Sequence, residues 1–342
     1  MNPGHRPTVT VVMIFLNARA YIEEAIDSVL AQTYRDFELV LVDDGSTDES
    51  TAIAKGYAAR FPNLVRYTEH AGHENLGMSA SRNHGVASGR GRLVSFLDAD
   101  DIWLPERLHR FVSEMALFPE AGMLYGPTLY WYSWAAQRPP AAGDAGLDTS
   151  EDFAGELRLP THVLLEPPRV LREWLVSGGA CLPGICSLLI RREAYEAIGG
   201  FEPSFRGLYE DQVFLSKIAL ARPIVVIPEV LDHYRQHAGS CCHQGVASGE
   251  YHPDGLHPAR RRYLLWLEDY CQKRGVADRE LLQALDRELW PYRSRVNELI
   301  HTAPRAALSM AKNTLRQYAP PWMMPPLRTL RQRLARVSGL DL

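Results

Sequence analysis

Glu38-Leu39-Val40-Leu41-Val42-Asp43-Asp44-Gly45-Ser46-Thr47-Asp48 is an apolar run, rich in β-branched residues, that stops abruptly in acidic and turn-forming residues. Such a run, bounded by Gly and Ser, reads as a strand over Glu38–Val42 followed by a turn. Upstream, Val9–Phe15 is a second apolar run. Between the two, Ile22, Ala25, Ile26, Val29 and Leu30 recur on one helical face. Downstream the spacing predicts a helix from about Glu49 to Phe61 and a strand near Leu64–Thr68. A small-residue helix then runs from Gly77 to about Val86, and a fourth strand covers Leu93–Leu97. Pro105 suits the first turn of a helix in which Leu104, Leu108, Phe111, Val112 and Met115 repeat at helical spacing. Repeated βα units of this length imply a mostly parallel, twisted sheet with helices on both faces, an α/β fold. Ligands of such sheets bind beyond the C-terminal ends of the strands. Asp43-Asp44 and Asp98-Ala99-Asp100-Asp101 both stand at those ends.

Past the alternating half, residues 137–159 are rich in Pro, Gly, Ala and Asp and aperiodic, which predicts a flexible surface insertion. Order resumes with an apolar stretch at Gly184–Ile190, a short helix over Glu193–Ile198, a Gly199-Gly200 turn and a helix over Glu210–Ala221. From Pro258 onward the pattern is helical. The expected division is a catalytic domain over 1–240 and a helical C-terminal region over 241–342. No apolar run in the 342 residues approaches the ~20 needed to span a bilayer. The five cysteines lack both a disulfide framework and a second pair at zinc-finger spacing, which predicts free thiols and a cytoplasmic setting. The net charge of −4 hides an asymmetry, because nine Lys/Arg face two acidic residues from Pro291 to the end. An acidic body with a basic tail argues against nucleic-acid binding.

The acidic clusters carry the chemistry. Magnesium and manganese are hard cations that prefer oxygen ligands, often one or two carboxylates plus substrate phosphates. Asp98-Ala99-Asp100 supplies two carboxylates directly after a strand, and the chain must turn there for both to reach one ion. An isolated D-x-D is most often only an acidic loop. Asp43-Asp44 could accept the imide hydrogen of a base or the hydroxyls of a ribose, or simply form a turn that caps the next helix. Glu210-Asp211 opens a helix, where a carboxylate suits the helix dipole and is also held rigidly enough to serve as a general base.

Together these segments resemble the family 2 glycosyltransferases over roughly Thr8 to Ser240. The resemblance rests on Val9-Thr10-Val11-Val12, Phe15-Leu16-Asn17-Ala18, Ser28-Val29-Leu30-Ala31-Gln32-Thr33-Tyr34 and Leu41-Val42-Asp43-Asp44-Gly45-Ser46-Thr47-Asp48. It continues through Asn75-Leu76-Gly77, Ser81-Arg82-Asn83-His84-Gly85, Phe96-Leu97-Asp98-Ala99-Asp100-Asp101, Gly199-Gly200-Phe201 and Tyr209-Glu210-Asp211. It implies the GT-A nucleotide-diphospho-sugar transferase fold, an inverting single displacement, and Mg²⁺ or Mn²⁺ as cofactor. By the same resemblance Asp43 and Asp44 are the nucleobase-contacting acids, and Asn17 joins them in donor binding. Arg82 stands near the donor phosphates, Asp98 near ribose and metal, and Asp100 is the direct metal ligand. His237 approaches the diphosphate or the metal, while Asp211 is the catalytic base with Glu210 beside it. UDP- or dTDP-sugars are favoured over GDP-sugars as donors.

The acceptor is expected to be a glycan or a lipid-linked sugar in cell-surface glycan synthesis. The Trp/Tyr-rich stretch Tyr125–Trp134 is expected to help form its pocket, although core packing is the default for such aromatics. The late Q-x-x-R-W motif of processive relatives is absent, which favours single transfer. Leu327, Leu330, Leu334 and Val337 alternate with Arg328, Arg331, Arg333 and Arg336 after Pro320-Pro321-Trp322-Met323-Met324-Pro325-Pro326. This pattern fits equally an interfacial helix touching the anionic inner face of a membrane and a helix packed on the protein with a solvated basic face. A nucleotidylyltransferase would use a similar sheet but needs a Gly-rich basic loop after the first strand, where Asn17-Ala18-Arg19 stands instead. A non-catalytic sugar-binding relative would have lost the acids, and all are present.

Overall fold

The computed structural model describes residues 5–134, 151–179, 181–252 and 255–302. The tail helix expected over 327–337 lies outside them, as does most of the 137–159 insertion. Chain contacts divide the protein into two compact units, Met1–Tyr251 and His252–Leu342.

The first unit is built on an eight-stranded sheet in the order β3-β2-β1-β4-β10-β6-β11-β9. Its strands are β1 (Val9–Phe15), β2 (Phe37–Asp43), β3 (Val65–Glu69), β4 (Leu93–Phe96), β6 (Met123–Tyr125), β9 (Leu164–Leu165), β10 (Leu188–Arg191) and β11 (Ile224–Val226). The pairs β1–β2, β2–β3, β1–β4 and β6–β11 are parallel, whereas β10 runs against both its neighbours and β9 against β11. The chain moves outward from β1 to β3 and returns to β1's other side at β4. The strand order therefore reverses between β1 and β4, the place where open α/β sheets bind ligands.

Alternation along β1 assigns the two faces. Val9, Val11, Met13 and Phe15 pack with Ile22, Ala25, Ile26 and Val29 of α1 (Ile22–Leu30) and with Leu108, Phe111 and Met115 of the later helix α4 (Arg107–Leu117). The helix α2 (Ser50–Arg60) contributes Ala54 to the same cluster. The opposite face takes α3 (Met78–Ser88). A methyl group on Gly85 would stand 2.4 Å from Val12 Cγ1, so only glycine lets this helix sit so close to the sheet. Phe96 of β4 continues that layer, edge-on to Phe201 and to Phe214 of the later helix α7 (Glu210–Ala221). The expected helix at Pro105 begins two residues later, at Arg107, with Pro105 in the preceding turn. Two short helices, α5 (Arg169–Val176) and α6 (Arg192–Ala197), lie between β9 and α7 in sequence.

A second sheet, absent from the sequence reading, has the order β5-β12-β7-β8. It joins β5 (Ile102–Trp103), β12 (Asp232–Arg235), β7 (Leu129–Trp131) and β8 (Phe153–Ala154). β8 falls inside the predicted aperiodic insertion, whose end is thus recruited as an edge strand against β7. The first unit closes with α8 (Cys241–Ser248), capped by the Ser240 side chain. The second unit contains α9 (Pro258–Lys273), α10 (Arg279–Leu289) and α11 (Arg295–Thr302). Arg293 ties α9 to α10 through Glu268 and Asp286. Among the described residues no helix is long and apolar enough to cross a membrane, and all five cysteines are free.

Candidate active site

The loops after β1, β2 and β4 and the start of α7 converge on one acidic site. After β2, Gly45 takes φ +87°, and a Cβ there would press 3.0 Å from the Asn75 nitrogen. That turn buries both acids of Asp43-Asp44. Asp43 Oδ1 accepts the Ser46 N–H at 2.8 Å, and its Oδ2 accepts the hydroxyls of Thr51 at 2.5 Å and Tyr67 at 3.2 Å. Asp44 accepts the backbone N–H groups of Leu76 at 2.8 Å and Gly77 at 3.0 Å, so it holds the 74–77 loop against β2. Asn17 stands in the left-handed region at φ +51° and accepts the Thr47 N–H at 2.7 Å, which ties the β1 loop to the β2 loop.

Between β4 and α7 lies a buried ion network. Arg82 of α3 is enclosed and donates to Asp98 Oδ1 at 2.7 Å and to Glu210 Oε1 at 2.5 Å. Burial pushes the Glu210 carboxyl up to about 8, with the Arg82 guanidinium beside it pulling the other way. Burial likewise raises Asp98, against the pull of Arg82, and raises Asp211. Asp211 opens α7 with Oδ1 accepting the Gln212 N–H at 2.7 Å. The residue before this pair, Tyr209, is forced to φ +71°. Backbone strain of this kind concentrates at functional sites. Three of the four non-glycine residues at positive φ among those described, Asn17, His73 and Tyr209, border these acids.

Asp100 and His237 meet on the other side of the β4 turn, with Nε2 of the imidazole 3.0 Å from Asp100 Oδ2. Two adjacent ligands of an octahedral cation at ~2.1 Å stand ~3.0 Å apart, so this pair fits Mg²⁺ or Mn²⁺ with phosphate oxygens completing the shell. Asp98 of the expected metal set gives its Oδ1 to Arg82. The only group of three His, Cys, Asp or Glu side chains gathered at ligand distance among the described residues is Asp43, Glu69 and His73. It suits a cation poorly. Both Asp43 oxygens already take protein donors, and His73 Nε2 donates to the Ser46 carbonyl at 2.8 Å. That hydrogen bond and the acids nearby raise the His73 pKa and favour the imidazolium form.

Several residues of the site carry no motif signal. Arg235 donates through Nε to the Asp100 carbonyl at 2.7 Å and through Nη2 to Glu24 at 2.6 Å, beneath the rings of Trp131 and Trp134. Buried Asp101 accepts the Arg235 N–H at 2.9 Å. The one available signal was position, since Arg235 stands two residues before His237 and Asp101 directly follows the D-x-D.

Known proteins resemble this chain in sequence and in fold. The profile of the family described as Glycosyl transferase family 2 matches residues 10–138. An uncharacterized glycosyltransferase of Nostoc sp. is 30% identical over 241 residues, covering 70% of this chain and 68% of the relative. The chain belongs to glycosyltransferase family 2. Other curated members align over 27% to 33% of this chain and 10% to 40% of their own lengths. Among them are Bacillus subtilis proteins named for minor teichoic acid and teichuronic acid biosynthesis. The fold is shared with Staphylococcus aureus TarS in complex with UDP, at TM-score 0.56 and 16% identity over 90% of this chain and 79% of TarS. It is also shared with a mannosyltransferase of Pyrobaculum calidifontis in complex with GDP-Man and Mn²⁺, at TM-score 0.51 and 20% identity over 98% and 86%. This family 2 member therefore has the GT-A-like architecture expected from its sequence.

Proposed function

We propose that this family 2 enzyme transfers a sugar, with inversion, from a nucleotide-diphosphate donor to an acceptor hydroxyl, with Asp211 as general base and a divalent cation at Asp100 and His237. The observation that carries the reading is the division of the acids around Arg82. Asp100 pairs with an imidazole at cation-ligand spacing, while Asp211 is fixed at a helix N-terminus by the Gln212 N–H. Glu210 has one oxygen engaged by the buried Arg82, which favours its neighbour Asp211 as the base. Asp43, Asp44 and Asn17 shape the nucleoside end of the donor site by holding its loops together, and Arg82 fixes Asp98 beneath the donor. The UDP bound to TarS and the GDP-Man bound to the mannosyltransferase support a nucleotide-diphospho-sugar as donor.

In the reaction, Asp211 accepts the proton of the acceptor hydroxyl as its oxygen bonds to the anomeric carbon. The bond from that carbon to the diphosphate oxygen breaks, its electron pair leaves with the nucleotide diphosphate, and the configuration inverts. A cation bound at Asp100 and His237 would stabilise the charge growing on that leaving group. Asp211→Asn keeps the shape but cannot take the proton, so transfer should fall about 10²–10⁴-fold. Calorimetry should find nucleotide diphosphate still bound. Transfer near the wild-type rate would move the base elsewhere, and loss of nucleotide binding would place Asp211 in the donor site.

A further inference from the structure

One row of aromatic rings in the small sheet is left unused by this mechanism. Tyr234 of β12 pairs with Tyr130 of β7, and Tyr130 pairs with Phe153 of β8, so the three side chains share one face of the sheet. Tyr130 meets Tyr234 edge-on at 5.5 Å and stacks on Phe153 at 4.6 Å with 6° between the rings. Tyr132 adds a fourth ring, 6.2 Å from Phe153.

The inner end of this row adjoins the D-x-D turn, because Arg235, the residue after Tyr234, donates through its N–H to Asp101 and through Nε to the Asp100 carbonyl. The Tyr234 hydroxyl donates to Cys242 Sγ at 3.7 Å. Burial, with a smaller push from the Asp211 carboxylate, raises the Tyr130 hydroxyl to about 12. The outer end is open, because Phe153 is 51% exposed. A two-residue edge strand gains little by exposing a phenyl ring, and exposed aromatics of this kind commonly mark binding surfaces. The rim of the row is polar. Asp152 accepts the N–H groups of Tyr132 and Ser133 and the Ser133 hydroxyl. The exposed Phe153 ring beside this hydrogen-bonding rim matches a pyranose, which offers C–H bonds on one face and hydroxyls at its edge. A lipid chain would need an unbroken apolar lining.

We propose that Tyr130, Phe153 and Tyr132 form an acceptor subsite for a carbohydrate chain, whose terminal sugar presents its hydroxyl to Asp211 while an inner sugar lies on Phe153. Phe153 stands two strands out from Tyr234, ~10 Å at ~4.8 Å per strand, which is more than one sugar ring. The acceptor is then an oligosaccharide of at least two residues, and Phe153 is a specificity-determining residue. This inference rests on the transferase reading above.

The test uses the full chain, the donor it turns over, and acceptor series of one to four residues built from glucose, galactose or N-acetylglucosamine. In wild type, KM should fall about tenfold from the monosaccharide to the tetrasaccharide of at least one series, the scale of one aromatic contact. Phe153→Ala should bring that ratio close to one, and Phe153→Trp should keep it. A wild type that turns over donor but shows no length dependence in any series overturns the subsite and leaves the transferase reading intact. The same ratio in Phe153→Ala as in wild type does likewise. A wild type that turns over no nucleotide-sugar with any acceptor or water overturns the transferase reading, and the subsite with it.

Discussion

At the scale of single residues, the site is governed by which carboxylates are spent on the protein and which remain for ligands. Asp43 and Asp44 have the strongest motif signal, yet both are enclosed and accept hydrogen bonds from their own loops. Their replacement should loosen the donor loops as well as weaken donor contact. Asp100 has no such duty through its side chain beyond His237. Asp100→Asn should therefore leave thermal unfolding near that of wild type while weakening Mn²⁺ binding and lowering turnover by orders of magnitude. Calorimetric titration with Mn²⁺ and UDP reads the first effect and nucleotide diphosphate release the second. Wild-type affinity and rate in that variant would remove the cation from this pair. The sequence named Asp98, Asp100 and His237 as one metal set, but a sequence cannot say that Arg82 engages one oxygen of Asp98. That depends on α3 and β4 packing side by side.

At the scale of elements, α3 is the part on which the site turns. It presents Arg82 to Asp98 and Glu210, and Asn83 holds the Gly199-Gly200-Phe201 turn by accepting the Phe201 N–H at 2.9 Å and donating to its carbonyl at 3.0 Å. One turn past Arg82, Gly85 permits the close approach to Val12 and Val42. Gly85→Ala adds a methyl group where no space exists, so α3 must lift from the sheet. A loss of about 1–3 kcal/mol in urea unfolding is expected, with a fall in activity as Arg82 shifts. An unchanged midpoint would mean that the helix has slack this packing does not suggest. The main strands and helices were legible because each has a clear period and a turn at its end. The second sheet was not. Its strands β5, β7, β8 and β12 are two to four residues long, too short for any period, and exist only because distant segments find one another.

At the scale of the whole molecule, the first unit concentrates buried acids whose proton affinity rises on folding: burial lifts Asp101 well above the usual carboxylate range, Glu210 to about 8, and Asp98 and Asp211 as well. A carboxyl with a raised folded pKa binds more protons folded than unfolded, so stability is greatest below the unfolded value near 4.5 and declines as pH climbs through the folded one. Tm should fall between about pH 4.5 and 8, the unfolded and folded values, and Glu210→Gln, which mimics the protonated side chain, should flatten that fall. Parallel slopes for variant and wild type would show that Glu210 is ionised in the fold at neutral pH. The sequence by itself determined the family, the parallel βα frame and the location of the acidic clusters at strand ends, because periodicity, turn chemistry and motif order are local properties of the chain. Only the tertiary structure decided how those acids divide their work. A buried carboxylate's role depends on its nearest cation and on how much water remains around it. For Asp98 and Glu210 that cation is Arg82, for Asp100 the neighbour is His237, and each partner lies at least 16 residues away along the chain.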